Sequence, residues 1–386
     1  MKLGYDDHHL AFRGFVREWT DKNYPKSRAR ELEAAEGVFP DQLWDDMAHA
    51  GFHGIGIDER FGGQGGDTLT QVILGQELAR NLGGLVGIWG TPSFAGAKSI
   101  TAHGSREQQA ELLPRIASGE IKFSIAVTEP DGGTDLLGAM KTRAVHEGDE
   151  WVINGQKVWS TGAHVADYLL LLARTHPDAK PTQSMTLFMV PTSTSGLSMR
   201  PLPKLGMRAY SSNEVFLDGV RVPEELVLGE PGLGWKHILS TLNNERTLVA
   251  AFSTGIIEGV LDEAVRYALG RRAFGKPIGQ FQAVQHYIAD IATWRTEAEL
   301  LTTNAARLDM SGQPCGVEAT MAKMVASDRA CQAADLGIQI LGGMGYSMET
   351  EMQRFWRDAR IYRIAPITNE MAKNMIGESL GLPRSF

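Results

Sequence analysis

The chain has 386 residues, 43% of them apolar and 22% charged, with a formal net charge of −8 at pH 7. That is too long for one small core and suits two or three packed units of a soluble globular protein. The acidic balance argues against a general nucleic-acid groove, and no apolar run approaches the roughly 20 residues that span a bilayer.

The two cysteines, Cys315 and Cys331, make neither a disulfide scaffold nor a zinc site. They read as small packed residues in a reducing compartment. The ten histidines do not fall at metal-ligand spacings. The stretch from Met1 to Asp7 is acidic and resembles neither a secretory signal nor a transit peptide, so a cytoplasmic protein is expected.

From residue 1 to 120 the apolar spacing is helical, as in Phe12, Phe15, Val16 and Trp19, and predicts an N-terminal helical domain. Gly-rich turns break it, notably Arg60 to Gly66. From 121 to 228 the period shortens to that of strands and predicts a middle β domain, barrel-like in form. Trp151 to Trp159 reads as two strands joined by an Asn154-Gly155 turn, because that dipeptide supplies the positive φ angles of a two-residue hairpin. Tyr168 to Ala173, Met185 to Val190 and Glu214 to Leu217 are further strand candidates. From 229 to 386 the sequence predicts a four-helix bundle, with helices near 235–270, 277–310, 314–341 and 351–381. The last of these is broken near Pro366. The fold class is therefore α+β and multidomain. There is no P-loop, no strand-borne dinucleotide fingerprint and no nucleophile elbow.

Five stretches carry a family resemblance. Thr128-Glu129-Pro130-Asp131-Gly132-Gly133-Thr134-Asp135 resembles the T-E-P-x-x-G-[ST]-D signature of acyl-CoA dehydrogenases. Its glycines allow close backbone approach to a flat ring or a phosphate, and its threonines offer hydroxyls. Trp159-Ser160-Thr161 follows at the family's distance. Arg271 to Ile278, with Phe281 and Gln282, resembles the R-x-x-F-G-x-x-[IL]…Q stretch. Gln339 to Tyr346 matches Q-x-x-G-G-x-G-[FY], and Lys204 to Arg208 with Arg221 to Pro223 completes the pattern.

The resemblance implies bound FAD. It implies cofactor contacts from Ile125, Val127, Thr128, Gly133, Thr134, Trp159, Ser160 and Thr161 in one subunit. Arg271, Phe274, Gln282, Gln339, Gly342 and Gly343 would reach the FAD of a neighbouring subunit, which implies a homotetramer or at least a dimer. Thr368 and Glu370 would neighbour the ribityl chain. The family removes two hydrogens across the Cα–Cβ bond of an acyl-CoA thioester and passes electrons to an electron-transfer flavoprotein. Asn243, Arg246, Thr134 and the backbone at Ile367 are implied as substrate contacts.

Such chemistry needs a carboxylate to take the α-proton. Most of the family carries it in a segment like I-Y-x-x-x-E-G-T. Anchoring on Tyr362 and Thr368 puts Pro366 there, and proline is no base. A minority, exemplified by isovaleryl-CoA dehydrogenase, places the base on another helix just before an arginine. Here that is Glu245, followed by Arg246. Periodicity supports the choice independently, since Ile238, Leu242, Glu245, Val249, Phe252 and Ile256 step along one helix face. A carboxylate in that apolar stripe is partly desolvated and more basic. Three rivals share these motifs: a dehydrogenase of carrier-protein thioesters, an oxygen-using flavin oxidase or monooxygenase, and an inactive thioester-binding flavoprotein.

Overall fold

Residues that step by three and four along the N-terminal third fold as expected into helices. The computed structural model describes residues 5–384, so the reading of Met1–Gly4 lies outside the described residues. α1 (Asp7–Asn23) is capped by Asp6 and turns Val16 and Thr20 inward. α2 (Lys26–Ala34) and α3 (Asp41–His49) follow. α4 (Thr68–Leu82) runs almost wholly buried through the middle of the domain. α5 (Gly87–Pro92) continues through a π-helical turn, Ser93–Lys98, into α6 (Ser99–His103). α7 (Arg106–Ala117) opens on a capping box made by Ser105 and Gln108.

The middle third is one mixed sheet of eight strands among the described residues. They are β1 (Phe123–Ala126), β2 (Arg143–Glu147), β3 (Glu150–Thr161), β4 (Tyr168–Arg174), β5 (Met185–Pro191), β6 (Leu197–Leu202), β7 (Ser212–Pro223) and β8 (Val227–Leu228). A four-residue helix, α8 (Leu136–Ala139), lies between β1 and β2. Spatial order is β6-β7-β3-β2-β4-β5-β8, with β1 running parallel to β4. Leu169, Leu171, Phe188, Val190 and Val215 fill one side of the sheet.

One expectation fails here. Asn154 and Gly155 do not join two strands; both lie inside the single twelve-residue β3. The hairpin turns at Gly148-Asp149, between Glu147 and Glu150. Gly148, at φ 67, fits the first position of a two-residue turn. Asn154-Gly155 is instead an irregularity in the β3–β7 ladder. Gly155 takes φ 151, and a Cβ there would sit 2.4 Å from Thr142 Oγ1. We expect Gly155→Ala to lower stability by about 2 kcal/mol, read by urea denaturation.

The last third is helical. α9 (Gly234–Gly270) leads through two short strands, β9 (Arg272–Ala273) and β10 (Lys276–Pro277), into α10 (Gln282–Met310) and α11 (Gly316–Leu341). α12 (Gly343–Tyr346), α13 (Met352–Ala359) and α14 (Asn369–Ser379) complete the chain. Buried Ala319, Ala322, Ala326, Ala330 and Ala333 let α11 lie close against its neighbours. α4 and α9 also cross closely, since a Cβ on Gly255 would meet Gln76 O at 2.3 Å. The last helical segment is interrupted before α14, and the Ala365–Pro366 peptide in the break is cis. Among the described residues no helix is long and apolar enough to cross a membrane.

Candidate active site

The loop after β1 is held by a buried ion pair. Lys157, fully buried on β3, donates from Nζ to Glu129 Oε1 at 2.9 Å and to the Val127 carbonyl at 3.1 Å. Glu129 also accepts from the backbone N–H groups of Lys141 (2.6 Å) and Thr142 (2.9 Å). Burial would push the Glu129 carboxyl up, but the Lys157 charge and these bonds hold it below its usual value. Burial pulls Lys157 down to about 8 against the attraction of Glu129.

This clamp joins two of the sequence motifs. The Val158 N–H donates to the Thr128 carbonyl at 2.9 Å. One residue on, Trp159 adopts φ 63 and stands 59% exposed. Ser160 is buried, its Oγ unpartnered and its carbonyl accepting from Asn213 Nδ2. The Thr161 hydroxyl shares a 2.8 Å hydrogen bond with Ser212. Ile125 and Val127 are half-buried at the sheet end, and Gly133 and Thr134 are exposed.

A second group gathers on α9, α11 and the start of α14. Glu245 is half-buried and accepts no hydrogen bond among the described residues. Burial pushes its carboxyl up to about 7, with only Arg246 pulling it back. Arg246 is buried, donates from Nη1 to Asn243 Oδ1 at 2.9 Å, and leaves Nε unpartnered. Its Nη2 lies 3.9 Å from Met375 Sδ, which sets α14 against it. Burial lowers the guanidinium from its ordinary value, opposed by Glu245.

Sequence reasoning missed Lys323. It is fully buried on α11 and donates to the Ile367 carbonyl (2.6 Å) and to Asn369 Oδ1 (2.8 Å). Thr368 caps α14 by accepting from the Met371 N–H at 3.2 Å. Glu370 points to solvent in the first turn, its carboxyl held low chiefly by a backbone hydrogen bond.

The remaining motif residues lie apart. Arg271, Phe274, Gln282, Gln339, Gly342 and Gly343 are all exposed, Phe274 at 94%. Among the described residues none of them bonds to the middle-domain group.

Residues 6–120, 124–220 and 232–381 match, in that order, the family profiles for the acyl-CoA dehydrogenase N-terminal, middle and C-terminal domains. The chain belongs to the acyl-CoA dehydrogenase family. It is 36% identical over 368 residues to a probable acyl-CoA dehydrogenase of Bacillus subtilis, covering 95% of this chain and 97% of that protein. It is 34% identical over 378 residues to a subunit of the caffeyl-CoA reductase–Etf complex of Acetobacterium woodii, covering 97% and 99%. The butyryl-CoA dehydrogenase of Megasphaera elsdenii superposes with a TM-score of 0.93 at 31% identity, over 98% of this chain and 99% of that one.

Members of the acyl-CoA dehydrogenase family are flavoprotein oxidoreductases, and the residues present fit a flavin. The Trp159 indole offers a free aromatic face beside the Thr161 hydroxyl. A Cβ added at Gly133, Gly342 or Gly343 would meet nothing within 4 Å, so the backbone there is open to close approach by a ligand, although the Gly342 N–H itself is committed to the Ile338 carbonyl at 2.8 Å.

Proposed function

We propose that this enzyme binds FAD and removes two hydrogens from an acyl-CoA, giving the 2-enoyl-CoA, with Glu245 as the base for the α-proton. One observation carries the reading. Glu245 is a carboxylate on an apolar helix face, unpaired, with its pKa raised to about 7, and so both basic and ionised near neutrality.

Ile125, Val127, Thr128, Gly133, Thr134 and the Trp159–Thr161 strand end would hold the flavin and pyrophosphate. Arg271, Phe274, Gln282, Gln339, Gly342 and Gly343 would complete the site from a second subunit, which calls for a homodimer or homotetramer. Thr368 and Glu370 would neighbour the ribityl chain. FAD, when bound, supplies the acceptor for the hydride leaving the β-carbon. Asn243 and Arg246 would fix the thioester on the α9 side, and Thr134 its pantetheine arm. Arg246 also keeps the charge of ionised Glu245 tolerable in a half-dry setting. Electrons would leave to an electron-transfer flavoprotein in the cytoplasm. The Acetobacterium relative, whose complex name includes Etf, supports that partner.

Anaerobic titration of the yellow protein with short, branched, aromatic and long acyl-CoAs tests this. Bleaching of the flavin by at least one thioester is expected. A colourless protein that cannot be reconstituted with FAD, or a flavin that no thioester reduces, sinks the proposal. Fast oxygen consumption without an acceptor turns it toward an oxidase, and faster reduction by carrier-protein thioesters toward a carrier-bound substrate.

A further inference from the structure

As the α-proton leaves a thioester, negative charge grows on its carbonyl oxygen, and a donor must meet it there. Pro366, which stands where most of the family carries its base, has no N–H to offer that oxygen. We propose that Lys323 is a positioning residue: it turns the Ile367–Thr368 peptide so that the Thr368 N–H binds the thioester oxygen. This rests on the dehydrogenase reading above and adds the identity of the donor.

The geometry is that of one peptide plane. Lys323 Nζ holds the Ile367 carbonyl at 2.6 Å, from inside α11. The Ala365–Pro366 peptide is the cis one among the described residues, so Ile367–Thr368 is trans. In a trans peptide the N–H points opposite to the C=O. With the carbonyl drawn onto α11, the Thr368 N–H is aimed away from it, outward from the turn. No described residue accepts from that N–H, and its own side chain is committed to Met371.

The surroundings fix this orientation. Asn369, buried beside it, accepts from Lys323 and donates from Nδ2 to Ser327 Oγ (3.1 Å) and Asp328 Oδ1 (3.0 Å). The turn therefore cannot rotate without breaking a buried network. A cation on the carbonyl polarises the peptide and strengthens its N–H as a donor. The N-terminus of the eleven-residue α14 adds a favourable potential for an oxyanion. Met375, two turns along α14, lies against Arg246, the neighbour of Glu245. Base and donor thus stand on adjoining helices.

A bare structural role would not need an ammonium. Lys323 forms no ion pair among the described residues and lies fully buried, where burial drags its pKa to about 8. A neutral side chain could bond the same carbonyl without that desolvation cost.

The test uses the FAD-loaded enzyme and a dimethylamino-substituted 3-arylacryloyl-CoA. Its absorption moves to the red when a strong donor binds the carbonyl oxygen. The parent should show the red shift. Lys323→Met should keep FAD and probe binding but lose most of the shift, with flavin reduction slowed about 10²–10³-fold and KM little changed. Lys323→Arg should recover part of both. Thr368→Pro removes the N–H at a residue whose φ of −69 suits proline, and should lose the shift that Thr368→Ala retains. A full red shift in FAD-loaded Lys323→Met overturns the proposal. If that variant does not fold, equal shifts in Thr368→Pro and Thr368→Ala overturn it. A parent that shows neither shift nor flavin reduction brings down the dehydrogenase reading itself, and this inference with it.

Discussion

Glu245→Gln is expected to stay yellow while flavin reduction by its best acyl-CoA slows about 10⁴-fold, the upper end of what a positioned base contributes. The amide keeps the shape of the side chain and its place on the apolar face of α9, so FAD content should not change. Glu370→Gln should lose far less, because Glu370 is exposed and its carboxyl is held low by the start of α14. In the parent the reduction rate should rise with pH through about 7, as the Glu245 carboxyl gives up its proton. In Glu245→Gln that limb should vanish. Stability follows the same group in the other sense. The folded carboxyl binds its proton more tightly than the unfolded one, so from the unfolded pKa up to about 7 the native state holds more protons. Stability is therefore lost as pH rises through that window and is level above it. Glu245→Gln should melt higher than the parent at about pH 8 and no higher at about pH 4. Equal flavin reduction in variant and parent would refute the base assignment.

The half-buried place of Glu245 on α9 was legible because helical periodicity exposes a charge in an apolar row without any knowledge of the fold. The order of helices, strands and helices was legible for the same reason: period belongs to the local chain. The Asn154-Gly155 turn was misread because one dipeptide serves both a hairpin and a bulge. What decides between them is pairing with other strands: Asn154 pairs with Arg143 on β2 and Gly155 with Leu217 on β7, while Thr142, 2.4 Å from where a Cβ would stand, keeps position 155 a glycine. β6 escaped because its alternation spans only six residues and contains Pro201, which marks it as an edge strand. The two buried lysines were missed although the signal was there. Trp151 and Ile153 point inward on β3, and the same alternation turns Lys157 inward. Lys323 stands among Ala319, Ala322 and Ala326 on the buried face of α11. A lysine is usually solvated, so composition outweighed position; the test that found Glu245 would have found both.

Lys157→Met should then cost more stability than Gly155→Ala, about 3–5 kcal/mol. Methionine fills most of the space of the lysine stem, so the loss is electrostatic rather than a cavity. It leaves the Glu129 carboxylate buried, bonded to two backbone N–H groups but with no cation. Glu129 would then protonate more readily, and the loop from Thr128 to Asp135 would lose its charged tie to β3, keeping, among the described residues, only the Val158 N–H bond to the Thr128 carbonyl. Because Trp159 lies two residues beyond Lys157 on that strand, FAD retention should fall together with stability. The double variant Lys157→Met, Glu129→Gln should regain part of the loss, since a neutral amide no longer needs the cation and still accepts one backbone bond. Urea denaturation of the four proteins closes the cycle, and flavin absorbance after gel filtration reports the loop. If Lys157→Met denatures within about 0.5 kcal/mol of the parent, the pair is not what holds the loop. If instead the double variant is worse than the single by the full cost of Glu129→Gln alone, the two residues are independent. The flavin loop would then be held by its backbone hydrogen bonds rather than by charge.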